Sequence, residues 1–410
     1  MRLHAPSRRE MLLASGTLFA WAHMPKLAYA EGRDPRFLAI ILRGALDGLA
    51  AVAPVGDPDW VALRGDNALT PESKTPALKL DDFFALNPAM PNLHRMFQAN
   101  EAIVVHASAT PYRERSHFDG QDLLESGLPK PGPNDSGWLN RALSGLVAAG
   151  RIDPTGSKVF AVGPVTPLVV RGPAPVLSWS PQRIMPASGD TVARLLDLYR
   201  QCDPKLASVL QDNSKLNAIE QSADMGTEQK PAGPGPAQVR AYFAEAAGNA
   251  AKFLAQADGP RIGALALDGW DTHFNEGIAQ GRLSQLLGAL DDALAAIKTN
   301  MGPRWPQTVV ALATEFGRTA RLNGTDGTDH GTATIALLVG GALKGGRVIA
   351  DWPGLKSADL YQNRDLKPTT DLRAVLKGVL KDHLRADERA LAQTVFPGSD
   401  GVKPMAELVA

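Results

Sequence analysis

Acidic, imidazole and hydroxyl side chains recur in short clusters along this 410-residue chain, and each cluster directly follows or precedes an apolar run. The first is Arg43-Gly-Ala-Leu-Asp47-Gly48. A second, Arg113-Glu-Arg115-Ser116-His117-Phe118-Asp119, lies beyond His106-Ala-Ser108. Asp268-Gly-Trp-Asp271-Thr-His273 and Thr314-Glu315-Phe-Gly-Arg318-Thr319 follow, and a glycine-rich loop then carries Asp326-Gly-Thr-Asp329-His330-Gly331. Carboxylates with imidazoles can share a divalent cation or work as acid–base pairs. A serine at a helix start can attack a phosphoryl or sulfuryl centre, because backbone N–H groups there favour an anion.

Each residue also has a plainer reading. Asp47 before Gly48 suits a turn as well as a ligand. Ser116 can cap the helix that begins at His117. His273, two residues after Asp271, fits a metal, an acid–base pair or a buried ring held by its neighbour. Glu315 can cap a helix with Arg318 as its partner. Asp329 and His330, in a Gly/Thr loop, are hard to explain by core packing and are read as functional. His94 and His383 fall in helical patterns and are read as structural.

The positioning elements are legible. Phe37–Leu42, Ala102–His106, Arg261–Leu267, Thr308–Ala313 and Ile335–Val339 are continuous apolar runs, as expected of strands buried on both faces. Helical spacing marks Pro91–Asn100, Trp138–Leu146, Gln238–Ala255 and Gly281–Asn300, the last with leucines at 283, 286, 287, 290 and 294 on one face. Alternating strands and helices predict a doubly wound, mostly parallel α/β sheet with helices on both faces. Ligands gather at the carboxyl edge of such sheets, which is where the clusters should meet. Val159–Trp179, broken by prolines, is read as a small hairpin or an excursion from the main sheet, and Gly226–Pro236 as a surface linker. The expected organisation is one domain over 31–400 with an insertion at about 163–236.

Residues 1–30 read as an export signal. Arg8-Arg9 precede an apolar run from Met11 to Trp21, and Ala28-Tyr-Ala30 offers a small-x-small cleavage site. The twin arginine indicates the Tat translocase as a transient partner, hence a periplasmic or secreted protein beginning at Glu31. The run is too short for a stable membrane span. Lys+Arg and Asp+Glu are both 43, and the absence of a basic excess argues against nucleic-acid binding. The single cysteine, Cys202, cannot form a disulfide within the chain.

Seven blocks carry a resemblance: Leu42–Gly48, Arg115-Ser-His-Phe118 with Glu125-Ser-Gly127, Gly137-Trp-Leu-Asn140, Gly269–His273, Glu315–Thr319, Thr328–Gly331 and Thr370-Asp-Leu-Arg373. In these the chain resembles domain-of-unknown-function family 1501, which is similar to the alkaline phosphatase and sulfatase superfamily. The resemblance implies an alkaline-phosphatase-like α/β fold and a hydrolase of phosphate or sulfate esters with a nucleophile and usually two metals. It implies that Asp47 is the first-strand metal aspartate, that Ser116 lies near the nucleophile position, and that Asp271, His273 and His330 belong to one metal site. Where the superfamily has Asp-His, this chain has Glu315-Phe316, so one divalent ion, zinc or manganese, is expected among Asp47, Asp271, His273, Glu315, Asp329 and His330. Arg115 or Arg318 would neutralise the transferred anion, and His117 would protonate the leaving oxygen. No nucleotide cofactor is implied; a protein of a second family of unknown function, numbered 1800, is the implied partner. The alternative is a non-catalytic binding or assembly protein on a degenerate hydrolase scaffold.

Export generates the first test. Replacing Arg8 and Arg9 with lysine should leave unprocessed precursor in the cytoplasm, read by cell fractionation, and the wild-type mature N-terminus should be Glu31 by terminal sequencing.

Overall fold

In the first strand, β1 (Arg36–Arg43), Leu38, Ile40 and Leu42 enter one hydrophobic cluster while Phe37, Ala39 and Ile41 enter another on the opposite face. Strand side chains alternate between faces, so a strand covered on both sides must be apolar at every position. That is why the run carries no alternation. β5 (Ala102–Ala109), β8 (Ile262–Asp268), β9 (Thr308–Ala313) and β10 (Thr334–Val339) repeat the pattern. The computed structural model describes residues 33–410 apart from 153–157, 164, 181–195, 197–198, 200–202, 204, 206, 209 and 212–234. Within it Pro35–Ala410 forms one compact unit. The signal segment, Cys202 and most of the expected insertion and linker lie outside the described residues.

The remaining strands are β2 (Val52–Ala53), β3 (Leu78–Lys79), β4 (Ala85–Leu86), β6 (Val159–Val162), β7 (Val176–Trp179), β11 (Arg347–Ile349) and β12 (Thr370–Asp371). The main sheet runs β11-β5-β10-β9-β1-β8-β6-β7, with β12 also on β5; β2, β4 and β3 make a small separate sheet. Pairings in the main sheet are parallel except those of β10, which is antiparallel to both β5 and β9; the small sheet is antiparallel. The fold is therefore α/β with a mostly parallel sheet. Helices Pro91–Gln98, Pro236–Ala255 and Arg282–Met301 supply the first cluster, and Trp138–Ala148 and Leu372–Leu384 the second.

One expectation is corrected. Val159–Trp179 is not a hairpin away from the sheet: Val159–Val162 lies beside β8, and Val176–Trp179 pairs with it in parallel at the edge. The prolines break the connection rather than the strands, leaving two four-residue pieces that still bury apolar side chains. The histidines read as structural bond to backbone carbonyls, His94 to Lys79 and buried His383 to Arg36.

The direction of β10 decides where its preceding loop falls. Chain ends of β1, β5, β8 and β9 share one edge. An antiparallel strand starts at the edge where its neighbours finish, so the loop 326–333 joins them. Backbones pass closely there. A Cβ on Gly44 (φ +119°) would lie 2.6 Å from the Asp271 nitrogen, and one on Gly327 2.2 Å from the His273 carbonyl oxygen. Glycine permits both approaches. Gly327→Ala should lower the melting temperature by an amount equivalent to about 1–3 kcal/mol of overpacking, measured by calorimetry; unchanged stability would show that the loop does not rest on the His273 segment.

Candidate metal centre

Three imidazoles and one carboxylate converge at this edge. His117 opens the helix His117–Ser126, which follows β5. Asp271 and His273 follow β8, and His330 precedes β10. His117 Nε2 lies 2.9 Å from His330 Nε2, and His273 Nε2 lies 3.0 Å from the same atom. Asp271 Oδ1 is 3.0 Å from His273 Nε2 and 3.3 Å from His330 Nε2, while its Oδ2 is 3.5 Å from His117 Nε2.

The outer nitrogens explain the orientation. His117 Nδ1 lies 2.8 Å from Glu315 Oε1, His330 Nδ1 2.9 Å from the Arg115 carbonyl, and His273 Nδ1 3.3 Å from Asp329 Oδ1. All three partners are acceptors, so each Nδ1 carries the proton and donates. A neutral ring held in this way turns an unprotonated Nε2 inward. Bare nitrogens this close repel unless a cation lies among them. Histidine ligands backed by carboxylate or carbonyl oxygens are the usual arrangement around a metal. His117, Asp271 and His330 offer ligand atoms within 4.8 Å of one another. Two nitrogens and a carboxylate oxygen suit zinc or manganese.

Electrostatics follow from these contacts. The bond to Glu315 raises the His117 pKa above its ordinary range, against burial. Burial, then the neighbouring His117, lowers that of His330. Burial works against ionisation of Asp271, yet the bond and charge of Arg318 hold its carboxyl below the usual range. Phe316 packs its ring 5.0 Å from His117 and 5.3 Å from His330, a wall without a donor atom.

The structure redistributes the expected roles. His117, expected as a leaving-group acid, faces the cluster as a donor. Glu315, expected as a ligand, stands behind His117: it is fully buried, Oε1 also accepts from Gly44 N at 2.9 Å and Gln121 Nε2 at 3.1 Å, which fills that oxygen, and Oε2 accepts from Thr314 Oγ1. Asp47, expected as a ligand, caps the short helix Gly48–Ala51 and pairs with buried Arg64 at 2.7 Å; the guanidinium is its cation. Asp329 supports His273 rather than joining the cluster. Arg318 and Arg115, expected on an anion, are held by Asp271 at 2.6 Å and Asp365 at 2.7 Å. Ser116 occupies the helix N-cap but its side chain makes no cap bond; its N–H donates to Tyr112 Oη at 3.2 Å.

Arg64, Tyr112, Glu276 and Asp365 are not legible as site residues in the sequence. Tyr112 lies four residues before Ser116 and Glu276 three after His273, while Arg64 and Asp365 lie beside no recognisable cluster member.

A family model matches residues 35–395. The chain belongs to DUF1501, a family described as protein of unknown function. No curated protein matches the sequence. Among solved structures it is similar to a protein in the alkaline phosphatase superfamily from Vibrio parahaemolyticus, at 12% identity and a TM-score of 0.38, covering 91% of this chain and 71% of that one. A sulfatase from Pseudoalteromonas sp. is similar at 14% identity and a TM-score of 0.34, covering 84% and 68%. The C-terminal periplasmic domain of EcEptC from Escherichia coli, in complex with Zn, is similar at 10% identity and a TM-score of 0.34, covering 75% and 74%. Among the described residues no helix is long and apolar enough to cross a membrane.

Behind the cluster, Glu276 is fully buried and accepts from Thr272 Oγ1 at 2.8 Å and Thr328 Oγ1 at 3.2 Å. Burial, then the charge of Asp47, raises its pKa to about 7. Its folded value exceeds the unfolded one, near 4.3, so the folded state holds this proton more tightly. The stabilisation is complete below the unfolded value and is lost as pH rises towards about 7. Glu276→Gln should therefore flatten the fall of melting temperature between about pH 4 and 7, measured by thermal unfolding across pH; an unchanged slope would place the titration elsewhere.

Proposed function

We propose that this DUF1501 protein is an exported, single-metal hydrolase of phosphate or sulfate esters. One observation carries the reading: three histidines, each held through Nδ1, turn their Nε2 atoms onto Asp271. His117, Asp271 and His330 would hold a divalent ion, zinc or manganese. Three protein ligands leave a coordination position open, as catalytic sites do and structural ones do not. When bound, the ion supplies Lewis acidity to an oxygen placed against it.

The chain's own residues then have distinct tasks. Ser116, whose hydroxyl is not spent on capping, is the candidate nucleophile, and the helix N-terminus it begins favours an anionic centre. Arg318 keeps Asp271 ionised. His273 stands beside the cluster with its ring partly open to solvent and Nδ1 held by Asp329, and in its imidazolium form would pass the Nε2 proton to the leaving oxygen. Phe118 and Phe274 are exposed next to His117 and His273 and would meet the ester's organic portion. The Arg8-Arg9 signal supports Tat export to the periplasm, where a partner from the family numbered 1800 would be met.

A second reading, a non-catalytic binding protein, is favoured by the commitment of Arg115 and Arg318 to carboxylates, which takes two expected anion-binding groups out of play. Elemental analysis and an ester panel separate the two. Wild type should carry about one ion per chain, and His330→Ala should lose both ion and hydrolysis with a modest fall in stability. His273→Ala should keep the ion while turnover drops by about 10²-fold or more. A wild-type protein that binds no divalent ion and cleaves no ester sinks the hydrolase reading, and a periplasmic pull-down then becomes the informative measurement.

A further inference from the structure

Arg115 is in the left-handed backbone region, with φ 60°. A side chain bearing a Cβ avoids that region unless surrounding contacts hold it there. The consequence of the conformation is that the Arg115 carbonyl meets His330 Nδ1 at 2.9 Å, the contact that leaves Nε2 of His330 unprotonated. What holds Arg115 is a short hairpin. Tyr361 N–H donates to the Asp365 carbonyl at 2.8 Å and Asp365 N–H returns a bond to Tyr361 at 3.0 Å. Gln362 and Asn363, both at positive φ, form its tip.

The hairpin grips the guanidinium three ways. Asp365 Oδ2 accepts from Arg115 Nε at 2.9 Å and lies 2.7 Å from Nη2. Gln362 Oε1 accepts from Nη2 at 2.6 Å, and the Tyr361 ring centre is 5.9 Å from the guanidinium carbon. Asp365 is fully buried. The hairpin is itself fastened to the segments flanking the cluster. Ala320 N–H donates to the Arg364 carbonyl at 3.1 Å, and Thr332 Oγ1 to the Leu366 carbonyl at 2.9 Å.

We propose that Asp365, with Gln362 and Tyr361, is a positioning clamp: it keeps Arg115 strained so that its carbonyl sets the tautomer and direction of His330. Asp365 acts through Arg115 and touches no ligand atom. Its role in metal affinity rests on the single-metal reading above, but its effect on the His330 ring does not.

The test compares zinc affinity, by chelator competition on the mature protein, for wild type, Asp365→Asn, Arg115→Ala and Arg115→Gly. Asp365→Asn and Arg115→Ala should weaken zinc binding by about 10–100-fold, the usual effect of losing an outer partner of a ligand histidine. Arg115→Gly loses the same guanidinium contacts but adopts positive φ freely, so its loss should be clearly smaller than that of Arg115→Ala. Equal losses in the two Arg115 variants would overturn the clamp, as would wild-type affinity in all three. Should Asp365→Asn fail to fold, the Arg115 pair still decides. Nitrogen-15 NMR of the metal-free protein gives a readout independent of the ion: His330 should be Nδ1-protonated in wild type and a tautomer mixture in Arg115→Ala. A wild type that binds no zinc defeats the metal reading alone; an unchanged His330 tautomer in Arg115→Ala defeats the clamp.

Discussion

The buried carboxylate of Glu315 ties the site's framework together. It follows β9, takes the backbone N–H of Gly44 beyond β1, and receives His117 and Gln121 from the helix His117–Ser126. Its second oxygen accepts from Thr314 Oγ1 at 2.9 Å, and Thr314 in turn accepts from Leu46 N at 3.2 Å. A charge this deep is tolerable only when its lone pairs are filled. Here those bonds also keep the carboxyl ionised, since they outweigh the burial that pushes its pKa the other way. One anion thus joins two strand ends and a helix, and fixes the direction in which His117 faces.

A second layer uses cations in the same way. Arg318 is buried, spans Asp271 and Thr328, and thereby connects the β8 loop to the loop before β10. Arg64 does this for Asp47, also reaching the Thr319 and Ala320 carbonyls. The candidate ligand set is held from outside by paired ions. Rigid outer partners are what let a metal site keep its rings aimed before any ion arrives.

That arrangement also separates this edge from one built to grip a free anion. Arg115 and Arg318 are at the site, as the sequence indicated, yet both are turned away into carboxylates. In the proposed hydrolase, charge on a substrate would be met by the ion and by the helix N-terminus at Ser116.

Local pattern in the chain specifies the five central strands, four of the long helices and the edge where the candidate site lies. Runs such as Phe37–Leu42 are apolar at every position because both faces are covered, and that requirement is written locally. It also indicated Asp271, His273 and His330 as a group. Only the tertiary structure decided which residue takes which task. Glu315 and Asp47 look like ligands in sequence, but three-dimensional neighbours, Gly44, Gln121 and Arg64, fill their oxygens first. His117 faces the cluster because Glu315 stands behind its ring. The loop carrying His330 reaches the site because β10 runs antiparallel, a property set by pairing with strands distant in the chain. Strand direction, hydrogen-bond saturation and tautomer depend on partners elsewhere in the chain, and no local pattern encodes them.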